Sequence, residues 1–319
     1  MNILFVTASR VGDAVLSSGV LDHLVRTHPG ARVWVACGAA PAPLFTATPA
    51  VERVIAIAKR RWAGHWFELW RATVGIVWDL VVDLRSWALA WTLPARRRLV
   101  LRKRDDRAHR VRQYGAVLGL EPPPAPYIRL DEAHRRRAAA LAPAGLPILA
   151  LGATANWGGK QWPADRFAAL ADRLTAPGAP LAGAAIAVMG AANERPGVTA
   201  LIEQIPPARR IDLVGTADLL TIAALCERAR LFVGNDSGLM HLAAAMATPT
   251  LGLFGPSRES LYAPWGAHTA TVRTPEIYDA IVTAPDYDYR DQRSRMTSLA
   301  VETVAAAALD LLARQGPRP

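Results

Sequence analysis

The chain has 319 residues, 51% of them apolar, with two cysteines and a formal net charge of +10. The length exceeds the usual single domain and the apolar share fills two cores, so two domains are expected. The most apolar stretch, 69–93, is interrupted by Arg71, Asp79, Asp83 and Arg85, which excludes a spanning helix there. Cys37 and Cys226 lack metal-ligand or redox spacing and are expected as buried thiols in a reducing compartment.

The sequence begins at once with a strand, 3–6, with no basic leader or cleavage site ahead of it, so a cytoplasmic location is expected. Further strands are predicted over 32–36, 51–57, 78–82 and 98–101, with helical stretches between them. The helix after the first strand is marked by Val15, Leu16, Val20 and Leu24, which form an apolar face following Gly12 and Asp13. This alternation describes a parallel sheet with crossover helices. Asp13 stands at the start of that helix, on the ligand-facing edge. An acidic residue there suits the helix dipole without any function, and it is also placed to take a proton from a substrate hydroxyl.

Lys59, Arg60 and Arg61 precede Trp62, Trp66 and Trp70, whose spacing makes one helical stripe. Beside that basic cluster the stripe suits a membrane interface, although such stripes more often pack into cores. Nine basic residues then crowd 96–112, opposed only by Asp105 and Asp106. The plain reading is a solvated basic face; the functional one is an anionic partner. No nucleic-acid module accompanies the cluster, so a phosphorylated or lipid-surface partner is preferred and nucleic acid is not expected.

The proline run 122–126 stops the pattern, and the segment to 147 reads as the connection between domains 1–140 and 141–298. Strands predicted over 148–151, 184–189, 211–214, 231–233 and 250–254 restart it as a second βα array. An amphipathic helix within 299–319 is expected to return to the first domain. Two such domains facing a central cleft would bind ligands beyond the carboxyl ends of their strands.

The loop after the fourth of these strands, Gly234-Asn235-Asp236-Ser237-Gly238-Leu239-Met240-His241, reads as strand, tight turn and helix start. Asp236 or Ser237 falls where an N-cap belongs, Gly238 lets a ligand approach the backbone, and the helix N–H groups favour a phosphate. His241 lies one turn on and could reach the same ligand; a capped helix with a core histidine is the alternative. The loop 152–162 carries Thr154, Gly158, Gly159 and Lys160. It has the look of a P-loop without the Gly-Lys-Ser/Thr ending, since Gln161 follows Lys160, so magnesium-nucleotide hydrolysis is not indicated. Lys160 remains a point charge for a diphosphate.

Taken in order, Arg10-Val11-Gly12-Asp13, Gly159-Lys160-Gln161-Trp162-Pro163, Val233 to His241 and Leu253-Phe254-Gly255-Pro256-Ser257 resemble the ADP-heptose:lipopolysaccharide heptosyltransferase family along nearly the whole chain. The resemblance implies a GT-B fold of two Rossmann-like domains. It also implies an inverting transfer of heptose, or a similar sugar, from a nucleoside diphosphate to an anionic lipopolysaccharide-core acceptor. By position, Asp13 is then the catalytic base. Lys160, Asp236, Ser237, Gly238 and His241 hold the donor, with Thr154 beside Lys160 as a further donor-binding candidate; the basic residues Arg10, Arg60 and Arg61 are the candidates to meet the acceptor. No cofactor or metal is implied, the sugar nucleotide being a substrate; the DXD-like Asp286-Tyr287-Asp288 lies in a polar connection rather than after a strand. Peripheral contact with the inner face of the inner membrane fits such an acceptor. The rivals are a transferase for another sugar or a sugar-nucleotide epimerase on the same architecture, and a non-catalytic binding protein. A dinucleotide oxidoreductase is disfavoured because neither first βα turn carries Gly-x-Gly-x-x-Gly.

Overall fold

The computed structural model describes residues 1–58, 64–86 and 88–315. The chain divides into two compact units, Met1–Asp131 and Glu132–Pro319. In the first, β1 (Asn2–Val6), β2 (Arg32–Gly38), β3 (Val51–Ile57), β4 (Trp78–Asp83) and β5 (Ala95–Val100) form a sheet in the order β3-β2-β1-β4-β5, every pair parallel. In the second, β6 (Ile148–Gly152), β7 (Ala185–Gly190), β8 (Arg210–Val214), β9 (Leu231–Asn235), β10 (Thr250–Phe254) and β11 (Thr269–Arg273) form another parallel sheet, ordered β11-β10-β9-β6-β7-β8. These are two Rossmann-like α/β sheets. Helices cover both faces, which is why β6, β9 and β10 are buried along their whole length and read as apolar runs.

Strand order reverses between β1 and β4 in one sheet and between β6 and β9 in the other. At such a switch point the chain leaves neighbouring strands in opposite directions and opens a crevice at their carboxyl ends. Asp13 follows β1 and Arg85 follows β4; Lys160 follows β6 and Asp236 follows β9.

Several expectations change. The strand expected over 98–101 is Ala95–Val100, and β11 was not anticipated: it is an edge strand, half-exposed throughout, and Thr-Ala-Thr-Val-Arg gives no apolar run. The helix Glu132–Leu141, part of the connection expected up to 147 and left of the boundary drawn at 140, belongs to the second unit. There its one buried residue, Ala138, packs with the helix Leu219–Arg228, and Arg135 pairs with Glu227 at 3.0 Å. The final helix, Val301–Gln315, was expected to return to the first domain. It packs instead on the second unit's own helix Ala164–Thr175 and on β11, burying Val304, Ala305, Ala308 and Leu311 in that core. The proline run lies on the helix Val11–Thr27, where Gly19 leaves no room for a Cβ beside the carbonyls of Pro124 and Ala125.

Trp66 and Trp70 of the helix Gly64–Thr73 pack against the first core, so that much of the indole stripe is core. Trp62, Lys59, Arg60, Arg61 and Trp87 lie outside the described residues. Cys37 and Cys226 are buried, and burial pushes both thiols up to about 12. Among the described residues no helix is long and apolar enough to cross a membrane.

Candidate functional site

In the first unit the β1 loop runs directly into the helix Val11–Thr27. Thr7 hydrogen-bonds Ser17 at 2.6 Å beneath it, and Arg10 occupies the N-cap position with its side chain exposed. Asp13 lies in the first turn, and its Oδ1 is buried with no hydrogen-bond partner. A buried carboxylate oxygen left open is costly unless a partner arrives, and a substrate hydroxyl is such a partner.

The neighbouring β4 loop is seated by the Leu84 N–H donating to Val6 O at 2.9 Å. Asp83 is fully buried, accepts from the Arg85 and Ser86 N–H groups at 2.9 and 2.7 Å and from the Ser86 hydroxyl, and so locks the turn. Arg85 stacks over Trp66 at 4.9 Å. Burial lowers its pKa against the opposing pull of Asp83 and Cys37. Sequence reading used Arg85 only as a break in an apolar stretch; its place after the switch-point strand was the available signal.

The arginine tract splits in two. Arg98 donates to Ala90 O and Leu93 O, both at 2.7 Å, and Arg110 is buried and donates to Gln113 at 3.0 Å, so both serve the fold. Arg96 pairs with Asp79 at 3.2 Å. Arg97, Lys103, Arg104 and Arg107 are exposed, as is Trp91, which stands 54% open between Arg98 and Arg102 at 5.7 and 6.0 Å.

In the second unit, β6 and β9 approach closely because Gly152 and Gly234 pair in register and both make room for the Phe232 ring. Asn235, fully buried, ties the two loops together: its amide donates to Ala153 O at 2.9 Å and accepts from the Trp162 N–H at 3.0 Å. This stitching residue had no assigned role in the sequence reading. Asp236 is 6% exposed; its Oδ2 accepts from Lys160 Nζ at 2.6 Å and its Oδ1 lies 3.9 Å from His241 Nε2. Lys160, Asp236 and His241 therefore come together.

The helix Gly238–Ala245 starts at Ser237, which holds the N-cap position in extended conformation. Neither expected side chain caps it. Asp236 is committed to Lys160, and the Ser237 hydroxyl is buried with no hydrogen-bond partner. The Ser257 hydroxyl, on the loop after β10, is buried and unpartnered in the same way. Thr154 is buried after β6 against Gly190, where a Cβ would come 2.9 Å from its methyl group. One edge of this sheet thus collects a lysine, a helix start with Gly238 behind it, and hydroxyls lacking partners, an arrangement suited to an anionic ligand with several oxygens.

Asp286 and Asp288 of the DXD-like stretch are engaged otherwise. Asp286 pairs with Arg295 at 2.5 Å and Asp288 accepts from the Arg290 N–H at 2.8 Å. Among the described residues no three His, Cys, Asp or Glu side chains cluster as metal ligands do.

The sequence profile of glycosyltransferase family 9 (heptosyltransferase) matches residues 71–283, which hold β4 and β5 of the first sheet and all six strands of the second. The chain belongs to this family. This glycosyltransferase is 29% identical over 307 residues to lipopolysaccharide heptosyltransferase 1 of Pseudomonas aeruginosa, covering 83% of the present chain and 82% of that one. Its fold matches the glycosyl transferase family 9 protein of Veillonella parvula with a TM-score of 0.79 at 21% identity, covering 98% and 97% of the two chains. It also matches E. coli heptosyltransferase WaaC, solved with ADP, with a TM-score of 0.72 at 20% identity over 98% and 100%. The GT-B arrangement of two Rossmann-like units is common to these glycosyltransferases.

Proposed function

We propose that this glycosyltransferase moves a heptose from ADP-heptose to a hydroxyl of a lipopolysaccharide-core acceptor, with inversion. The Pseudomonas relative is named a lipopolysaccharide heptosyltransferase, and the WaaC structure holds ADP. The observation that carries the reading is the Lys160–Asp236 pair at the start of the helix Gly238–Ala245, flanked by the unpartnered hydroxyls of Ser237 and Ser257.

In the reaction the acceptor O–H gives its proton to Asp13 as its oxygen bonds the anomeric carbon. The bond from that carbon to the diphosphate breaks on the opposite face, and ADP leaves with the electron pair. Charge that develops on the diphosphate meets Lys160, the amides after Ser237 and the two hydroxyls; Thr154 and His241 complete the donor's surroundings. Because lysine and amides supply this positive potential, turnover is expected to survive EDTA. Arg10, with Arg60 and Arg61, is assigned to the anionic acceptor.

The exposed basic and aromatic surface of the first unit, Arg97, Arg102, Lys103 and Trp91, supports a peripheral contact with an anionic membrane, where such an acceptor resides. A donor screen that follows nucleoside-diphosphate release, with and without lipopolysaccharide-core acceptors, tests the assignment. Acceptor-dependent ADP release from ADP-heptose supports it; release only from another sugar nucleotide, or none, refutes it.

A further inference from the structure

The loop that carries Lys160 has little to hold it by itself. Gly158–Lys160 forms a single 3-10 turn, and two of its three residues are glycines. A distant segment, residues 286–296, lies along that turn. The Trp157 indole N–H donates to Asp291 O at 2.8 Å, and the Gly158 N–H donates to Gln292 Oε1 at 3.0 Å. The Arg295 N–H donates to Gly159 O at 3.0 Å, and the Ser294 hydroxyl donates to Gln161 O at 2.5 Å. Residues 157, 158, 159 and 161 are each bonded to this strap, and the one between them, Lys160, sends its ammonium to Asp236.

The strap is itself fixed. Arg295 closes it internally through Asp286 at 2.5 Å and Asp291 at 3.4 Å, Tyr287 meets Trp157 edge-on at 6.2 Å, and Met296 is fully buried. Contact is close enough that a Cβ at Gly158 would run into the Gln292 main chain.

We propose that residues 286–296 brace the Lys160 turn, with Gln292 as a positioning residue that sets the ammonium for the donor diphosphate. Lysine carries a long, rotamer-rich side chain, and a cation works best in an anion site when its backbone is already fixed. The inference rests on the donor role given to Lys160 above and goes beyond it, since Gln292 acts only through that lysine.

Titration of ADP into the full-length wild type, Lys160→Ala, Gln292→Ala, Gln292→Glu and the Lys160→Ala/Gln292→Ala double variant tests this. Gln292 is exposed, so its replacement spares the core. Gln292→Ala is expected to weaken ADP about threefold to tenfold, the worth of one net hydrogen bond. Gln292→Glu, which keeps the acceptor oxygen, is expected to restore most of it. In the Lys160→Ala background Gln292→Ala should add nothing. If Lys160→Ala weakens ADP while Gln292→Ala binds like wild type, or if the two losses multiply in the double variant, the brace is overturned and the donor reading stands. If Lys160→Ala itself leaves ADP affinity unchanged, the donor reading fails and the brace fails with it.

Discussion

At the β1/β4 switch point Asp13 keeps one buried carboxylate oxygen without a hydrogen-bond partner, and Arg85 rests on an indole with its Nη1 likewise unpartnered. At the β6/β9 switch point the Asp236 carboxylate has Lys160 on one oxygen and His241 near the other, while Asn235 ties the two loops together. The same topology thus carries two kinds of site. The second pairs its charged groups with one another and leaves the Ser237 and Ser257 hydroxyls open, which suits a ligand with several oxygens. The first leaves polar atoms of two charged side chains open, as the proton-accepting role proposed for Asp13 requires. The division matches a reaction in which one unit holds the leaving diphosphate and the other handles a proton.

The largest effect that would break this comparison lies at Asp13. Asp13→Asn is expected to lower turnover by about 10² to 10⁴, the range for a lost general base, and steady-state kinetics at saturating donor would show it. Near-normal turnover would remove Asp13 from the chemistry.

Next comes the second unit. Lys160→Ala is expected to weaken ADP about 10-fold to 10²-fold, as fits a charge-assisted hydrogen bond, and calorimetry reads this directly. Because it also leaves Asp236 buried beside His241 alone, thermal unfolding should shift down. Asp236→Ala should weaken ADP by less, since it frees the ammonium from its anchor and keeps the charge.

A smaller effect sharpens the first unit. Neutralising Arg97, Arg102 and Arg104 together is expected to raise the acceptor KM a few-fold and flatten its dependence on salt, with donor KM unchanged. A face that only confers solubility would leave both constants alone.

The smallest difference concerns the thiols, one buried in each unit. Burial raises both from 9.0 to about 12, so their contribution to stability is full below the unfolded value and is lost as pH rises between those limits. Neither should react with a disulfide reagent at pH 8 until the protein is unfolded; rapid native labelling of either would contradict its burial.

Much of this was legible in the sequence because parallel βα units write each strand and its following loop contiguously. Asp13, Lys160, Asp236 and His241 each follow a strand and could be placed at a carboxyl edge without coordinates. What escaped depends on packing between distant segments. Edge strand β11 carries no apolar run, the helix Glu132–Leu141 reveals its unit through Ala138 and the pairing of His134, Arg135 and Arg137 with Asp218 and Glu227, and the final helix has an apolar face that would fit either core. Ser237 holds the N-cap position that the sequence offered to it or Asp236, but whether a side chain turns back to bond the helix is not written in an Asp-Ser pair. Asn235 and the strap 286–296 act across 73 and 134 residues of chain, separations at which spacing carries no signal.

The division of labour is tested most directly by one comparison, ADP affinity measured calorimetrically for Asp13→Asn beside Lys160→Ala. The account predicts wild-type affinity, within about twofold, for Asp13→Asn, and a loss of about tenfold or more for Lys160→Ala. Equal losses in the two variants, or a loss in Asp13→Asn alone, would contradict it.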